Sequence, residues 1–466
     1  MSSLNDRGEG VLLATAAGDA LGAPYEFEPP RGPGLAVEMT GGGPWSAGEW
    51  TDDTAMTIAI AEVAATGADL RDEAAQDDIV ARWHGWSLGA KDVGIQTRSV
   101  LRTAAREGLS AATARAAAAA LHRETGRTAG NGSLMRTAPV ALRYLDDEDA
   151  MVEAARAISE LTHFDPDAGD ACVLWCTAIR HAVLTAELDA RIGLRHIDSE
   201  RRAVWAQRVD AAETARPAEF PNNGWVVTAL QAAWSAIVTT RTDGPEHLRR
   251  GLDAAVRAGF DTDTVAAIAG GLLGAAYGAS AVPLQWRYLL HGWPGITGRG
   301  LVALATGIER NGPTSNGPDY AGYRIDALVP HPYDAKVLIG GIGTLLHLPA
   351  EVDAVVSLCR VADSDVPDGM PHVEVRLIDS AEPDENPHLD YVLLEATQAV
   401  EVLRAQGRTV LLHCVEALSR TPTVAALYGA RLRNVGTDEA LADVQKVLPR
   451  ANPNPAFVQA LKRWGL

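Results

Sequence analysis

The pattern of apolar and polar positions divides the chain into two parts. Up to about residue 310, apolar residues recur with the 3.6-residue period of an α-helix, as in AMTIAIAEVAATG, AGDACVLWCTAIRHAVLTAEL and VVTALQAAWSAIVTT. The strict alternation that is typical of strands is scarce in this part. The sequence therefore predicts an all-α domain over residues 1–310.

The pattern changes after Ile308. The stretch GIERNGPTSNGPDYAGY is rich in Gly, Pro, Asn and Ser, which favours a linker over residues 311–330. Beyond it, the β-branched runs KVLIGG, VDAVVSLC, VEVRLI and TVLLHC alternate with helical patterns such as LDYVLLEATQAVEVLRAQG and PTVAALYGARLRN. Strands interleaved with helices predict an α/β domain on a largely parallel sheet over residues 331–466.

Composition and charge narrow the classes of partner. A chain of 466 residues is too long for one core, and 47% hydrophobic with 22% charged residues is typical of soluble globular domains. The formal charge is −19 at pH 7, so we expect no bulk binding of nucleic acid and none of anionic membranes. An anionic small molecule would have to be held locally, by a metal ion, helix N-termini or a few arginines.

The cysteines and the N-terminus indicate a reducing compartment. Cys172, Cys176, Cys359 and Cys414 form no C-x-x-C pair and are too few for a disulfide scaffold. The polar start MSSLNDRGEG does not resemble a signal peptide, and no apolar run is long enough to span a membrane. We therefore expect a cytoplasmic protein in which Cys172, Cys176 and Cys359 pack in the core.

Two acidic clusters precede helical patterns that lie far apart in the chain. Capping explains one oxygen acceptor per helix, but these clusters supply several, and four carboxylates brought together would repel without a cation. Carboxylate and hydroxyl oxygens suit a hard ion, so we predict a Mg²⁺ or Mn²⁺ site, mononuclear or dinuclear, between two helix N-termini. The residues are Thr51, Asp52, Asp53, Asp261, Asp263 and Thr264.

Two further stretches have polar residues at helix starts. GNGSLMRTAPVAL places two glycines around Asn131, which is compatible with a phosphate-binding turn or with a tight turn alone. LTHFDPDAGDA places His163 and Asp165 before Pro166. This stretch is compatible with a functional role or with Asp165 acting simply as a helix cap.

The order of these motifs resembles one enzyme family. GDALGAPYE, WTDDTAMTIA, GNGSLMR, THFDP and DTDTVAAIAGGLLGAAYG occur in the order found in the ADP-ribosylglycohydrolases, including the dinitrogenase-reductase-activating glycohydrolase, over roughly residues 8–307. The resemblance implies an all-α fold with a metal centre, usually dinuclear, that removes ADP-ribose from a side chain. It implies that the six residues of the acidic clusters are metal ligands, that Glu26 lies close to the metals, and that Asn131, Gly132, Ser133 and His163 line the ADP-ribose pocket.

The expected chemistry follows from the anomeric carbon that is attacked. Cleavage there passes through an oxocarbenium-like state, which nearby carboxylates favour, while the cation lowers the pKa of a bound water. Asp53, Asp263 and Glu26 are all candidates for the base that orients this water. Phe260 and Val265 depart from the residues that are frequent in the family and could alter substrate choice.

The stretch TVLLHCVEALSRT predicts a second site. Cys414 follows a strand, Arg420 opens a helix, and five residues separate them. Backbone N–H groups and a guanidinium would then surround an anion, and the helix N-terminus favours a thiolate nucleophile at Cys414.

Residues 320–466 resemble the dual-specificity branch of the cysteine-dependent protein phosphatases, most specifically in HCVEALSRT. The resemblance implies that Cys414 is the nucleophile, Arg420 the phosphate ligand, Ser419 a hydroxyl that assists the leaving thiolate, and Asp379 the general acid, with Asp384 as second choice. One position departs from the pattern, since Ala417 stands where glycine is usual. If this position requires a positive φ, alanine is strained there.

Together these patterns predict a bifunctional hydrolase that acts on an ADP-ribosylated protein or ADP-ribose conjugate and on a phosphorylated substrate. The alternative is a binding module in which the C-terminal domain recognises phosphate without turnover. The linkage could be to arginine, serine, a nucleic-acid base or O-acetyl-ADP-ribose. The second domain could also act on a phosphorylated ADP-ribose derivative.

Overall fold

The computed structural model describes residues 3–312, 320 and 327–465. Their contacts form two compact units. The larger unit holds Leu4–Val282 and Leu289–Thr314, and the smaller holds Pro283–Tyr288 and the described part of Ser315–Leu466. Most of the predicted linker, residues 311–330, lies outside the described residues.

The first part of the chain is helical, as its 3.6-residue periodicity predicts. One short antiparallel ribbon, β1 (His291–Gly292) and β2 (Ile296–Thr297), interrupts the described helices. The helices are α1 (Ser3–Gly22), α2 (Asp52–Ala64), α3 (Glu73–Ser87), α4 (Ile95–Arg106), α5 (Ala111–Thr125), α6 (Ala138–Arg143), α7 (Glu148–Glu160), α8 (Pro166–Thr185), α9 (Ser199–Thr214), α10 (Val226–Thr239), α11 (Glu246–Val256), α12 (Thr262–Tyr277), α13 (Leu284–Leu289) and α14 (Gly298–Arg310).

Helices α1 and α12 touch backbone to backbone in the core of the larger unit. A Cβ on Gly18 would lie 2.1 Å from the Ala266 carbonyl oxygen, and one on Gly22 would lie 2.5 Å from Asp263 Cα. Real Cβ atoms do not come this close to backbone, so only glycine permits the crossing. The contact brings the C-terminal half of α1 against the first turn of α12, where Asp263 lies.

The smaller unit is built on a five-stranded sheet, in agreement with the predicted α/β class. The strand order is β3-β4-β7-β5-β6, and every neighbouring pair is parallel except β3 with β4. The strands are β3 (Leu328–His331), β4 (Asp334–Gly341), β5 (Ala354–Ser357), β6 (His372–Glu374) and β7 (Val410–Cys414). The helices are α15 (Leu389–Ala405), α16 (Arg420–Arg433), α17 (Thr437–Val447) and α18 (Pro455–Trp464).

The sheet differs from the predicted runs at its edges. Strand β3 was not predicted, because its four residues include Pro330, which cannot donate to a ladder and is tolerated only on an edge strand. The run VEVRLI contributes a strand only as far as Glu374. The central strand β7 is buried at all five positions, as its continuous apolar run predicts.

The described helices include none that is both long enough and apolar enough to cross a membrane.

We predict that Gly22→Ala lowers the thermal midpoint of the larger unit. The added Cβ would meet the Asp263 backbone, and overpacking of this kind costs about 1–3 kcal/mol. The matched control is Gly85→Ala in α3, where an added Cβ meets nothing within 4 Å. Differential scanning calorimetry measures both variants, and equal midpoints would contradict the close approach of α1 and α12.

Candidate functional site

The N-terminus of α2 is capped from another helix. Asp19, in α1, accepts hydrogen bonds from the N–H groups of Thr51 (2.9 Å) and Thr54 (3.0 Å) and from the Thr54 hydroxyl (2.6 Å). The N-cap residue Thr51 itself makes no side-chain capping bond. Asp19 thus accepts from the Thr54 N–H, the bond that a capping side chain at Thr51 would otherwise make.

The two acidic clusters, far apart in sequence, meet in the folded unit. One carboxylate oxygen from each of Asp19, Asp53 and Asp263 lies within 4.8 Å of the others. A second group, formed in the same way by Glu26, Asp261 and Asp263, shares Asp263 with the first. In each group, residues from the first 53 positions meet residues that lie more than 200 positions further along the chain.

Burial and mutual repulsion raise the pKa values of these carboxyl groups. Burial, and then neighbouring acids, raise the pKa of Asp52 to about 7 and that of Glu26 to about 8. Burial raises the pKa of Asp19 to about 6, although the hydrogen bonds from Thr54 and Thr51 oppose the shift. Asp53 and Asp263 also have raised pKa values, for the same reasons as Asp52. Carboxylates so placed favour either a proton or a cation between them.

The hydrogen bonds inside the cluster leave one oxygen without a donor. The Thr51 hydroxyl lies 3.1 Å from Asp53 Oδ2 and 3.4 Å from Asp263 Oδ2. Asp53 Oδ1 is buried and meets no hydrogen-bond donor among the described residues. A buried carboxylate oxygen without a donor is costly, and a hard cation with oxygen ligands would satisfy it. The donor set present here therefore fits Mg²⁺ or Mn²⁺.

Asn131 connects the glycine-rich turn to the acidic cluster. Its Nδ2 donates to Asp261 Oδ2 (2.8 Å) and to the Asn223 carbonyl (2.9 Å). The Asn223 side chain in turn accepts from the Asp261 N–H (3.1 Å). The GNGS segment therefore lies at the start of α12, beside Asp261.

His163 packs against the same turn. A Cβ on Gly130 would lie 3.3 Å from His163 Nε2, and one on Gly132 would lie 3.1 Å from Cε1, so both glycines leave room for the ring. The His163 Nδ1 lies 2.7 Å from the Thr162 hydroxyl oxygen. Burial, and then the Arg136 charge, hold the pKa of His163 well below its usual value, so the ring is neutral.

The structure also locates three other residues that the sequence analysis named, Thr264, Ser133 and Asp165. Thr264 is buried in the first turn of α12. Ser133 is buried, and its hydroxyl lies 3.6 Å from Cys172 Sγ. Asp165 caps α8 through the Asp167 N–H (3.0 Å), as its position before Pro166 allows.

Three residues of the site were not predicted. Asp19 interrupts an otherwise apolar run of α1. Because a buried charge is costly, its position in this run could have marked it as a candidate site residue. Arg136 is fully buried, and its guanidinium stacks 3.9 Å from the Trp83 ring centre and donates to the Thr162 hydroxyl (2.7 Å). Burial lowers the pKa of Arg136 to about 9. Neither Arg136 nor Asn223 carries a spacing that singles it out.

The second site lies where β7 meets α16. Cys414 ends the strand, Arg420 begins the helix, and both line a cavity of about 280 Å³ together with Asp379. Arg420 Nη1 donates to the carbonyls of Leu358 (2.9 Å) and Leu377 (3.2 Å), which fixes the guanidinium beside the cavity.

The first-choice acid and the loop serine share one partner. The Asn454 side chain donates to Asp379 Oδ1 (3.0 Å), and the Asn454 N–H donates to the Ser419 hydroxyl oxygen (3.1 Å). Asp379 also lies 3.9 Å from Arg420 Nε. Asp384 is exposed in the turn Pro383–Glu385 and does not line the cavity. Of the two candidate acids, Asp379 is therefore the one that lies at the cavity.

The loop after Cys414 contains a strained residue. Ala417 is buried with a φ of 54°, in the left-handed region that favours glycine. The position therefore does require a positive φ, and alanine is strained there. Upstream, burial lowers the pKa of His413 to about 4, and its neutral ring lies 2.6 Å from the Ser357 hydroxyl.

The remaining thiols are buried, as predicted. Cys172, Cys176 and Cys359 are all buried, and burial raises the pKa of Cys359 to about 12.

Comparison with known proteins identifies the family that the first part of the chain matches. A family model described as ADP-ribosylglycohydrolase matches residues 1–314. The chain is 31% identical over 288 residues to ADP-ribosylarginine hydrolase Tri1 of Pseudomonas putida (strain GB-1), which covers 60% of this chain and 73% of that protein. It is 30% identical over 292 residues to the ADP-ribosyl-(dinitrogen reductase) glycohydrolase of Rhodospirillum rubrum, covering 61% of this chain and 90% of that protein.

The C-terminal region is similar to phosphatases. The chain is 31% identical over 111 residues to protein phosphatase Slingshot homolog 3 of Homo sapiens, which covers 24% of this chain and 16% of that protein. The match therefore spans about a sixth of that phosphatase.

We predict that Ala417→Gly stabilises the smaller unit by about 1 kcal/mol, because glycine adopts a positive φ without strain. The control is Ala426→Gly in α16, which should destabilise the unit because glycine is unfavourable in a helix. Calorimetry measures both, and a loss of stability in both variants would show that Ala417 is not strained.

Proposed function

The chain belongs to the ADP-ribosylglycohydrolase family, and we propose that its helical unit removes ADP-ribose from arginine side chains with Mg²⁺ or Mn²⁺. The single observation that carries this proposal is the convergence of Asp19, Asp53 and Asp263 in a buried cluster. The relative from Pseudomonas putida, whose name specifies ADP-ribosylarginine, supports the arginine linkage.

Two ions would be held by the predicted ligand set, while Asp19 fixes the start of α2 beside it. Asp53 and Asp263 offer buried oxygens, and Thr51 lies within 3.4 Å of both. Asp52, Asp261 and Thr264 complete the ligand set that the family resemblance implies. A bound divalent cation would supply a water of lowered pKa and would orient the ribose hydroxyls.

The side chains have distinct tasks in the proposed reaction. The carboxylates favour the positive charge that grows on the ribose as the bond to the guanidine breaks. Glu26 is half-buried with a pKa of about 8, so it can exchange a proton near neutral pH. Asn131, Gly132, Ser133 and His163 would line the ADP-ribose pocket, where a neutral His163 can accept or donate one hydrogen bond.

We expect Asp53→Asn and Asp263→Asn to abolish hydrolysis of arginine-linked ADP-ribose, and EDTA to do the same to the unmodified protein. Adding Mg²⁺ or Mn²⁺ should raise the thermal midpoint of the unmodified protein, because an ion that binds only the folded state stabilises it. The rise should disappear in both variants and persist in the exposed control Asp146→Asn. Full activity in a metal-free preparation would refute the proposal.

The stabilisation by metal should also depend on pH. Folding raises the pKa of Asp19 to about 6 and that of Asp52 to about 7, so the folded metal-free protein binds more protons than the unfolded chain. Its stability therefore falls as pH rises from about 4 towards 7. A cation replaces those protons, so the metal-induced rise in midpoint should be larger at pH 7 than at pH 5.

We also propose that the smaller unit hydrolyses phosphate esters. Cys414 would attack phosphorus and form a phosphocysteine while Asp379 protonates the leaving oxygen, and Arg420 would bind the phosphate oxygens. Water would then hydrolyse the S–P bond, and the Ser419 hydroxyl would assist the departing thiolate. The shared cavity of Cys414, Arg420 and Asp379 supports this assignment. The strain at Ala417 favours the alternative, in which the unit binds phosphate without turnover.

Hydrolysis of para-nitrophenyl phosphate distinguishes these two possibilities. We expect vanadate-sensitive turnover that is lost in Cys414→Ser and falls at least tenfold in Asp379→Asn, because the leaving group then has no proton donor. The matched control Asp384→Asn should keep the activity, since this side chain is exposed outside the cavity. Equal rates for Cys414→Ser and the unmodified protein would favour the binding module.

The boundaries at residues 310 and 330, the cytoplasmic location and the combination of both activities in one pathway remain predictions. An ADP-ribosylated protein and a phosphorylated substrate are the proposed partners.

A further inference from the structure

A fully buried guanidinium lies beside the residues assigned to the ADP-ribose pocket. Arg136 Nη2 donates to the Thr162 hydroxyl oxygen (2.7 Å), and its Nη1 lies 3.7 Å from Met56 Sδ. Its Nε meets no hydrogen-bond acceptor among the described residues, and none of their carboxylates lies within ion-pair distance. A buried cation that no carboxylate contacts is costly, so its retention in the core calls for a reason beyond packing.

The Thr162 hydroxyl connects Arg136 to His163. Its oxygen is fully buried and lies 2.7 Å from Arg136 Nη2 and 2.7 Å from His163 Nδ1. We call these three residues the relay. A guanidinium can only donate, so the hydroxyl oxygen accepts from Arg136.

The hydrogen of this hydroxyl decides which nitrogen of His163 carries the ring proton. The described residues offer the Thr162 hydroxyl no acceptor besides Nδ1, so its hydrogen is directed there. If Nδ1 carried the proton instead, both neighbours would donate to one oxygen and the hydroxyl hydrogen would be buried without an acceptor, which is costly. Nδ1 therefore accepts, and the proton of a neutral ring belongs on Nε2.

The Arg136 charge favours the same form of the ring. Burial, and then this charge, hold the pKa of His163 well below its usual value. A cationic ring would place two like charges on either side of the Thr162 hydroxyl and would protonate Nδ1 as well. The guanidinium and the hydroxyl thus both select the neutral ring with its proton on Nε2.

The Nε2 edge of His163 lies at the glycine-rich turn. A Cβ on Gly130 would lie 3.3 Å from Nε2, and one on Gly132 would lie 3.2 Å from it. Nε2 meets no hydrogen-bond acceptor among the described residues, whereas Nδ1 is satisfied by Thr162. A buried N–H without an acceptor in the free protein is available to a ligand oxygen.

Contacts from two other helices hold the relay in place. The Arg136 guanidinium stacks 3.9 Å from the ring centre of Trp83, in α3, whose Nε1 donates to the Met56 carbonyl (3.1 Å). The Gln96 side chain, in α4, donates to the Thr162 carbonyl (2.9 Å). Because Met56 belongs to α2, the relay is fixed to the helix that begins in the acidic cluster, and a donor held in this way needs little reorganisation on binding.

We propose that Arg136 and Thr162 are positioning residues that hold His163 neutral with its proton on Nε2, so that this nitrogen donates to an oxygen of bound ADP-ribose. The inference rests on the proposed function for the identity of the ligand. It adds the direction of one hydrogen bond and the two residues that set it.

Nuclear magnetic resonance reads the protonated nitrogen of His163 directly. In full-length protein with ¹⁵N-labelled histidine, two-bond ¹H–¹⁵N correlation spectra distinguish protonated from unprotonated ring nitrogens, and the signals lost in His163→Gln assign this ring. We expect the proton on Nε2 in the unmodified protein at pH 7, and a proton on Nδ1 or on both nitrogens would overturn the inference. Because no substrate is present, this result is independent of whether the protein hydrolyses ADP-ribosylated arginine.

Variants of the relay test what sets this form of the ring. Thr162→Val keeps the branched shape but removes the hydroxyl, so both neutral forms of the ring should appear, whereas Thr162→Ser should keep the proton on Nε2. Arg136→Met should also show both forms, and Arg136→Lys, which keeps a cationic donor, should not. The matched control Thr177→Val removes a buried hydroxyl that bonds the Val173 carbonyl in α8 (2.8 Å) and should leave the signals unchanged. An unchanged ring in Thr162→Val would show that the hydroxyl does not set the proton.

Binding of ADP-ribose tests the donor itself. In calorimetric titrations with Mg²⁺ present, we expect Thr162→Val to raise the Kd of ADP-ribose about fivefold, the size of one hydrogen bond, and Thr162→Ser and Thr177→Val to stay within about twofold. Equal affinities of Thr162→Val and Thr162→Ser, or an equal loss in Thr177→Val, would overturn the inference. If the unmodified protein does not bind ADP-ribose, the inference and the proposed function both fail, whereas binding with these differences but without hydrolysis would refute the proposed function alone.

Discussion

Several carboxylates lie buried within 4.8 Å of one another in the helical unit, and the rest of the site is organised around their repulsion. Bringing Asp53 and Asp263 out of water is costly unless protons or cations balance their charge. Burial and the neighbouring acids raise the pKa values of both carboxyl groups, which favours protons on them when no cation is bound. A divalent cation would remove this penalty, so the proposed chemistry and the stability of the unit would depend on the same charges.

The arrangement also explains why backbone contact between α1 and α12 is required. Asp19 accepts from the N–H groups of Thr51 and Thr54 at the start of α2, whereas Asp53 Oδ1 has no donor among the described residues and is available to an ion. Gly18 and Gly22, in the same turns of α1 as Asp19, let this helix approach α12 closely. The helix start is capped by one acid so that another can serve as a ligand, and the two tasks are divided between distant segments.

In the smaller unit, fixed hydrogen-bond donors rather than an ion are placed to stabilise the negative charge of a bound anion. Arg420 is held by two backbone carbonyls, and Asn454 links Asp379 to Ser419. An anion in the cavity would therefore meet groups that are already oriented, which lowers the cost of reorganisation on binding. Ala417 is the exception, because the loop holds it at a positive φ that is unfavourable for alanine.

The division between what the sequence determined and what only the tertiary structure decided follows from the range of the interactions. Helical periodicity, buried strand β7 and the motifs around Asp53, Asp263 and Cys414 are local signals, so the two fold classes and the candidate residues could be predicted from the chain alone. The edge strand β3 could not, because a run that contains Pro330 becomes a strand only through its neighbour β4. Asp19, Arg136 and Asn223 acquire their places from contacts with residues 26 to 92 positions away, and no pattern in one segment records a partner in another. The positive φ of Ala417 and the hydrogen bonds of His163 were decided in the same way, by the loops and helices that hold each group in place.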